Sequence, residues 1–342
     1  MEEKIDALSL SLEELEEKLL QFGEKKFRAK QVFEWLHKKR ATDFSMMTNL
    51  SAQLREKLDG IFCINSLIIK KRLVSNLDNT VKYLYALPDG EKVETVLMDY
   101  KHGNSICLST QVGCKMGCKF CASTKAGFVR NLTPGEILLQ IYETERDSGR
   151  HIDSIVLMGI GEPLDNYDNV IKFLRLLSNE NGTNMSLRHV SLSTCGLVDR
   201  IYDLAKLNLG LTLSISLHAP TNEKRSQIMP VNNRYDVNQL ITACKDYFKE
   251  TGRRISFEFS LIQGVNDDRK TAEELIKLLK PLANCHINLI PINEIREGDY
   301  KKSNYVRSFQ QMLTDAGLNA TVRRTLGADI EAACGQLRRD NI

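Results

Sequence analysis

The sequence lacks any apolar stretch of the roughly 20 residues that a membrane-spanning helix needs. It also lacks the basic and then apolar start of a secretion signal, because its first residues, MEEKIDALSL, are acidic. No short-period repeat or low-complexity segment is present. Of the 342 residues, 27% are charged and 42% are hydrophobic, which excludes the disordered and fibrous classes. We therefore expect a folded protein located in the cytoplasm.

Charge of one sign is not in large excess, since 47 Lys and Arg stand against 44 Asp and Glu. The net charge of +3 does not by itself identify a partner. The distribution is more informative. Residues 1–20 contain seven acids and two Lys, a net charge of −5, and residues 21–40 contain seven bases and two Glu, a net charge of +5. The average conceals a dipolar N-terminal region.

The nine cysteines are an odd number in a long chain without a secretion signal. A disulfide framework pairs cysteines in even numbers and belongs to oxidising compartments. The cysteine content therefore favours a metal-binding or reactive-thiol role.

Residues 1–62 have the pattern of a small helical domain. Ser11-Leu-Glu-Glu14 is a capping box ahead of a leucine-rich amphipathic segment, and Gly23 predicts where that helix ends. A second helix is predicted at about 27–39, and a third short one begins at Ser51. Residues 63–103 then alternate apolar and polar side chains on both sides of a Pro-Asp-Gly turn, which predicts a β-hairpin connector.

Residues 104–342 alternate strand and helix patterns. Strands are predicted near 105–110, 154–158, 189–194, 211–217, 255–262 and 286–291. Helices are predicted near 133–148, 166–178, 198–207, 236–251 and 270–280, followed by a helix-strand pair over about 304–325. Six such units predict an α/β fold, a parallel sheet curled into a partial (β/α)6 barrel. Ligands of such folds bind at the C-terminal ends of the strands.

Three thiols fall within eight residues, at Cys114, Cys118 and Cys121, directly after the first predicted barrel strand. Thiolates at this spacing can bind three corners of a 4Fe-4S cluster. The fourth iron is then open to chelate S-adenosylmethionine, and an electron delivered to the bound molecule cleaves its sulfonium. The alternative is a zinc site with a fourth ligand from a distant Cys or His.

Further motifs surround these cysteines. They are Cys107-Leu-Ser-Thr-Gln-Val-Gly-Cys114, Met158-Gly-Ile-Gly-Glu162-Pro163-Leu164, Leu192-Ser193-Thr194, Ser216-Leu217-His218-Ala219-Pro220, Ile290-Pro291-Ile292-Asn293 and Asp329-Ile-Glu-Ala-Ala-Cys334-Gly-Gln-Leu337. Over nearly its whole length the chain resembles the radical SAM superfamily and, within it, the RlmN/Cfr family of RNA adenine methyltransferases. The resemblance implies a radical SAM barrel, one 4Fe-4S cluster and S-adenosylmethionine, two molecules per turnover.

The resemblance is closest to the dual-specificity branch of that family. This branch methylates carbon 2 of an adenosine in the peptidyl transferase region of 23S rRNA and of an adenosine beside the tRNA anticodon. Pro163 and the run that ends at Asn293 favour it over the branch that methylates carbon 8. The carbon-8 activity stays open as an alternative, as does a non-catalytic iron-sulfur protein that binds RNA or transfers electrons.

The resemblance also assigns roles in the reaction. Cys334 takes a methyl group from one S-adenosylmethionine, and a 5′-deoxyadenosyl radical from a second removes hydrogen from the resulting S-methylcysteine. The carbon then adds to adenine, Glu94 removes the ring proton, and Cys107 forms a transient disulfide with Cys334. Glu94 alternates out of phase with its apolar neighbours. The alternatives are an exposed strand carboxylate for Glu94 and buried core thiols for the two cysteines.

By resemblance, a further set of residues contacts S-adenosylmethionine. The set is Gly161, Glu162, Ser193, Ser216, Leu217, His218 and Asn293. A carboxylate after a glycine-rich strand end can accept hydrogen bonds from the methionine ammonium. The alternatives are a tight turn for the Gly-x-Gly segment and a loop histidine bonded to backbone for His218. Core packing is the interpretation for the remaining cysteines, Cys63, Cys195, Cys244 and Cys285.

The implied partners are 23S rRNA, tRNA and an external electron donor such as flavodoxin or ferredoxin. The expected protein is a monomer that does not bind a membrane. Candidate phosphate contacts are the basic-aromatic segment Lys25 to Arg40, Lys70-Lys71-Arg72, Lys115, Lys119, Lys125, Arg130, Arg323 and Arg324. The alternative for each of these groups is a solvated surface.

Overall fold

The computed structural model describes residues 4–282, 284–292, 300–330, 332 and 336–339. The N-terminal elements are β1 (Ile5–Asp6), α1 (Leu12–Gln21), α2 (Phe27–His37), α3 (Ala52–Ile61) and β2 (Phe62–Cys63). The predicted capping box is confirmed, since the Ser11 side chain accepts from the Glu14 amide and the Glu14 carboxylate accepts from the Ser11 amide. β1 pairs in parallel with β2 and so joins the two ends of this segment.

The remaining elements alternate strands and helices. They are β3 (Ile68–Val74), β4 (Val81–Ala86), β5 (Lys92–Tyr100), β6 (Gly103–Cys107), β7 (Gln111–Gly113), α4 (Ala122–Lys125), β8 (Phe128–Asn131), α5 (Pro134–Ser148), β9 (Ser154–Leu157), α6 (Tyr167–Ser178), β10 (Val190–Thr194), α7 (Val198–Leu207), β11 (Thr212–Ser216), α8 (Asn222–Ile228), α9 (Val237–Thr251), β12 (Ile255–Leu261), α10 (Arg269–Leu279), β13 (His286–Pro291), α11 (Val306–Asp315), β14 (Asn319–Val322) and α12 (Gln336–Arg339).

One ten-stranded sheet forms the body of the molecule, in the order β14-β13-β12-β11-β10-β9-β6-β5-β4-β3. Adjacent strands from β6 to β14 pair in parallel. β3, β4 and β5 continue the same sheet in antiparallel pairing. The predicted α/β fold with a partial barrel is confirmed. The hairpin predicted as a connector is an extension of the barrel sheet.

The sequence analysis missed β3, the outermost strand of this extension. Its residues carry three consecutive basic side chains, Lys70 to Arg72, which interrupt the alternation that identifies a strand. A bulge between Ile69 and Lys71 shifts its register with β4. Charged side chains and bulges are usual at the edge of a sheet, because they discourage pairing with another chain.

The core extends continuously from the barrel into the N-terminal helices. Phe257 and Phe259 of β12 are fully buried in the same hydrophobic cluster as Leu8 and Phe33. At the junction, the Gly135 amide of α5 donates to the Ser9 hydroxyl at 2.9 Å. Removing the N-terminal helices would therefore expose apolar surface of the barrel. Separately, the part of the chain that the structure describes contains no helix long and apolar enough to cross a membrane.

His37 lies fully buried where α2 meets α5. Its ring packs on Phe33, with 4.4 Å between the centroids, and its Nδ1 lies 3.1 Å from the Tyr142 hydroxyl. Burial lowers the pKa of His37 to about 3. The folded protein therefore holds this imidazole neutral at physiological pH.

We expect His37 to make stability fall as the pH falls. Below its ordinary pKa of about 6.5 the unfolded chain binds a proton that the folded chain does not bind until about pH 3. The unfolding free energy of the wild type, measured relative to His37→Phe, should decrease by about 1.4 kcal/mol per pH unit below that pKa. Urea unfolding followed by the fluorescence of Trp35, the one tryptophan of the chain, measures this difference. A difference that does not vary with pH would contradict the expectation.

Candidate active site

A cavity of about 230 Å³ opens at the C-terminal ends of β9 to β13. Its walls include eight residues that the sequence analysis selected: Cys114, Cys118, Cys121, Gly161, Glu162, Ser193, Ser216 and His218. They come from four separate segments, the loop after β7 and the ends of β9, β10 and β11. These segments meet at one end of the sheet because all strands of a parallel sheet end on the same side.

The loop that carries the three cysteines is fixed by its neighbours. The Cys114 amide donates to the Gly127 carbonyl at 3.1 Å, which closes the β7–β8 hairpin around the loop. The Lys119 amide donates to the Ile228 carbonyl at the end of α8 at 2.9 Å. The Phe120 ring packs edge-on against His218, with 4.8 Å between the ring centroids. The loop is therefore anchored on both sides of Cys118.

Burial dominates the electrostatics of these thiols. It raises the pKa of Cys114 to about 12 and also raises the pKa of Cys118, and the neighbouring thiols add to both shifts. Iron coordination would remove these protons, because a thiol binds metal as the thiolate.

The donor set fits a cluster better than zinc. Three soft thiols line one cavity, yet no three Cys, His, Asp or Glu side chains in the described ranges converge as ligands of a single ion do. A structural zinc ion needs four ligands around one point. An iron-sulfur cluster binds its thiolates through separate irons and so needs no such convergence.

Glu162 connects two strand ends at the cavity wall. Its Oε1 accepts from the Leu164 amide at 3.0 Å, and its Oε2 accepts from the Cys195 amide at 2.7 Å. Burial raises the pKa of this carboxyl group. The Thr194 and Cys195 side chains also hydrogen-bond this carboxylate, so a ligand ammonium would share it with these groups. That role stays a prediction.

The two glycines before Glu162 are required by close contacts with another segment of the chain. A Cβ at Gly159 would lie 2.5 Å from the Leu108 carbonyl oxygen. Gly161 has φ +109°, and a Cβ there would lie 2.6 Å from the Cβ of Gln111. The close approach is therefore to the segment after β6, although Gly161 also lines the cavity.

His218 is held as a neutral ring. Its Nδ1 accepts from the Ser260 amide at 2.9 Å, which leaves the proton on Nε2. Burial lowers the pKa of His218 to about 3, with the Arg225 charge a smaller cause. One ring nitrogen thus bonds to backbone, as the alternative for His218 expected. The residue nevertheless lines the cavity. The neighbouring Leu217 side chain is instead buried in the core.

Glu94 and Cys107 lie together on the inner side of the sheet extension. Glu94 is only 2% exposed, so the alternative of an exposed strand carboxylate is wrong. Its Oε2 forms an ion pair with Lys82 at 3.0 Å. Cys107 is buried against Val96, directly opposite it on β5. Met158 packs against this cluster and also lines the cavity, so the two sites adjoin.

Two predicted residues, Cys334 and Asn293, lie outside the described residues. Described residues on both sides of Cys334 reach the Glu94 and Cys107 pair. Ala332 packs against the cluster that contains Cys107, and the Arg338 amide donates to Glu94 Oε1 at 2.6 Å. The eight cysteines of the described residues are all thiols rather than disulfides. The predicted disulfide therefore has no support in this structure.

The segment before Ala332 is attached to the turn between β3 and β4. The Asp329 carboxylate accepts from the Ser75 hydroxyl at 2.6 Å and from the Asn76 amide at 2.8 Å. The Gly327 amide donates to Asp78 Oδ2, also at 2.8 Å. The sheet extension thus holds the chain on the N-terminal side of Ala332, as β5 holds it at Arg338.

The sequence analysis missed several cavity residues. Cys195, interpreted as core packing, is buried and also lines the cavity. Buried Glu258 and half-buried Arg323, the latter proposed for RNA phosphates, line it too. Glu258 accepts from the Asn288 amide group at 2.8 Å, and burial raises its pKa. A carboxylate inside the apolar strand ISFEFSL was the available signal for it. Of the other three cysteines, Cys244 and Cys285 are buried in the core and Cys63 is half-buried.

Many of the basic residues proposed for RNA form ion pairs inside the protein. Arg72 pairs with Asp147 at 2.8 Å, Lys115 with Asp165 at 3.0 Å, Arg130 with Asp89 and Glu136, and Arg40 with Glu145. Within the described ranges, Lys25, Lys70 and Lys71 are exposed and have no carboxylate partner. Lys30, Lys38, Lys119 and Arg324 are likewise exposed without an ion pair among the described residues, so this whole set provides the better candidates for phosphate contacts.

Comparison with known proteins adds two family matches. Residues 5–64 match the ribosomal RNA large subunit methyltransferase N-terminal domain, and residues 108–279 match the radical SAM superfamily. A probable dual-specificity RNA methyltransferase RlmN from Lachnoclostridium phytofermentans is 52% identical, over 98% of this chain and 95% of its own length. Its counterpart from Clostridium novyi is 51% identical over 98% of both chains.

A solved structure agrees with these matches. The crystal structure of a radical SAM methyltransferase from Sphaerobacter thermophilus superposes with a TM-score of 0.92 at 41% identity. The superposition covers 97% of this chain and 98% of that one.

We expect a methyl group at Gly113 to prevent cluster binding. Gly113 precedes Cys114, has φ +80°, and a Cβ there would overlap the Gly127 carbonyl. Gly127 has a similar φ of +73° but open space around its Cβ position. Gly113→Ala should therefore lose most of its iron after anaerobic reconstitution, whereas Gly127→Ala should retain it and be less stable by about 1–2 kcal/mol. Iron and sulfide analysis distinguishes them. Equal iron content in both variants would contradict this account.

Proposed function

The chain belongs to the RlmN family of radical SAM RNA methyltransferases, and we propose that it methylates carbon 2 of adenosine in RNA. The proposed targets are an adenosine in the peptidyl transferase region of 23S rRNA and the adenosine beside the tRNA anticodon. One observation carries the proposal: buried Glu94 lies beside buried Cys107, next to the cysteine-lined cavity, with chain on both sides of Cys334 in contact with them.

The family implies a 4Fe-4S cluster and S-adenosylmethionine. Cys114, Cys118 and Cys121 would hold three of the irons. When bound, the cluster and its ligand supply a 5′-deoxyadenosyl radical by reductive cleavage. The polar wall formed by Glu162, Ser193, Ser216 and the Nε2–H of His218 would orient the ligand.

We assign the methyl-carrier role to Cys334. A thiolate displaces methyl from a sulfonium directly, so two molecules of S-adenosylmethionine are used per turnover, one as methyl donor and one as radical source. Two residues of extended chain span at most about 7 Å. A carrier two positions after Ala332 therefore has the Cys107 cluster within its range.

Glu94 and Cys107 would release the product. Once the carried carbon is bonded to adenine carbon 2, the adduct passes its unpaired electron to an external electron carrier, and Glu94 accepts the ring proton. The Cys107 thiolate then bonds to the Cys334 sulfur, the sulfur-carbon bond breaks, and the freed carbon takes a proton to become the methyl group. Lys82 and the Arg338 amide contact one oxygen of Glu94 each, which orients the carboxylate.

The remaining partners follow from this chemistry. An external donor such as flavodoxin or ferredoxin would deliver the electron, and a reductant would reopen the disulfide after each product. Lys25, Lys70 and Lys71 would meet RNA phosphates. We propose a monomer that acts in the cytoplasm, where both RNAs are present.

Nucleoside analysis tests the reaction. RNA incubated with reconstituted, reduced protein and S-adenosylmethionine should yield 2-methyladenosine and 5′-deoxyadenosine, both measured by mass spectrometry against standards. A second RNA sample without reductant serves as the control and should yield neither. The appearance of 8-methyladenosine would identify the other branch of the family, and the absence of both methylated nucleosides and of 5′-deoxyadenosine would support a non-catalytic role.

The Cys107→Ala variant should stop after the RNA becomes bonded to the protein. Because Cys107 acts only in release, the adduct through Cys334 should accumulate as a slow, nuclease-sensitive band on a denaturing gel. The double variant that also lacks Cys334 should give no band. Cys244→Ala removes an equally buried core thiol and should still turn over. Normal multiple turnover of Cys107→Ala would return Cys107 to a packing role.

A further inference from the structure

Arg225, in the short helix α8, is a fully buried arginine that the reaction scheme does not use. It ranks first by volume among the fully buried side chains of the described residues. The Ser216, Leu217 and Cys195 carbonyls that surround it belong to the C-terminal ends of β10 and β11, where the cavity begins. It therefore lies beneath the cavity rather than in it.

Among the described residues, each hydrogen-bond partner of this guanidinium is neutral. Nε donates to the Leu217 carbonyl at 3.1 Å, and Nη1 donates to Asn232 Oδ1 at 3.2 Å. Nη2 donates to the carbonyls of Cys195 and Ser216 at 2.6 and 3.2 Å. Within the described part of the chain, no carboxylate forms an ion pair with it. A buried charge without a counter-charge is strongly unfavourable, so an opposite charge is expected nearby.

Three buried thiols lie near enough to Arg225 to influence its pKa. Burial lowers the pKa of the guanidinium, and the opposing influences come from Cys195, Cys118 and Cys244. Of these, Cys118 belongs to the predicted cluster ligands. The loop of Cys118 is also bonded to the helix of Arg225, through the Lys119 amide and the Ile228 carbonyl. The helix that carries the guanidinium and the cluster loop are thus directly joined.

A bound cluster would supply a further counter-charge, in addition to the buried Glu162 carboxylate that binds the Cys195 amide. An oxidised 4Fe-4S core bound by three thiolates carries one net negative charge, and reduction adds a second. A fixed positive charge in a low-dielectric interior stabilises the reduced form more than the oxidised form, because the reduced form is more negative. It therefore makes the cluster easier to reduce.

We propose that Arg225 is a positioning residue of the electron-transfer step, whose buried charge raises the reduction potential of the cluster held by Cys114, Cys118 and Cys121. The proposal rests on the cluster site proposed above. Arg225 does not contact the reacting atoms. It acts through the charge it places under the cysteine loop and through the carbonyls that it fixes at the cavity floor.

Two variants remove the charge in different ways. Arg225→Gln deletes it, and Asn232→Asp places a carboxylate on Nη1 and neutralises it with the arginine still present. Both should shift the midpoint potential, measured by an anaerobic redox titration with EPR detection, to more negative values than wild type. Arg225→Lys retains the charge, so its midpoint potential should lie close to that of the wild type. If Arg225→Gln fails to fold, Asn232→Asp still tests the charge.

Asn232→Ala is the matched control for local damage. It loses the same amide donors to Asn222 and Ser226 as Asn232→Asp but adds no charge. It should melt at a lower temperature and keep the wild-type potential. Unchanged potentials in both charge-removing variants, or equal shifts in Asn232→Ala and Asn232→Asp, would overturn the proposal. Wild-type protein that binds no cluster would instead refute the proposed cofactor site.

Discussion

The register between β5, β6 and β9 is the constraint on which the candidate active site depends. Cys107 stands opposite Val96 of antiparallel β5 on one side and opposite Val156 of parallel β9 on the other. A shift of one residue in either pairing would turn Cys107 to the other face of the sheet. The same register puts Glu94 on the Cys107 side and Thr95 toward α5, where its hydroxyl donates to Gln140 at 2.9 Å. Thus the change from antiparallel to parallel pairing at β6 brings the proposed base and the proposed release thiol together.

Local patterns in the sequence were sufficient for much of this fold. Alternation and helix caps predicted α5, α9 and the barrel strands to within a few residues, because each signal lies inside a short window. The cysteine spacing likewise selected the cavity loop. The burial of Glu94 was not predictable in this way, since it depends on Lys82, a residue of the neighbouring strand that only the strand register identifies.

Other features depend on contacts between distant segments. Arg225 appears in a polar stretch, NEKRSQI, that gives no sign of a fully buried guanidinium. The reason for Gly159 is the Leu108 carbonyl, 51 positions away in sequence (159 − 108). In both cases the residue type is explained by a contact with backbone groups that come close only after the sheet has formed. Such requirements arise from tertiary contacts, which neither composition nor periodicity predicts.

The attachments around Cys334 have a consequence for the entropy of the reaction. Asp329 and Gly327 are bonded to the β3–β4 turn, and Arg338 is bonded to Glu94 of β5. Contacts on both sides of Cys334 would limit the volume open to it, so its proposed encounter with Cys107 would resemble a reaction at high effective concentration rather than a search through solution. Much of the ordering entropy of that encounter is then lost during folding, before any RNA binds. The antiparallel extension of the barrel would therefore act as a frame that limits how far the proposed methyl carrier can travel.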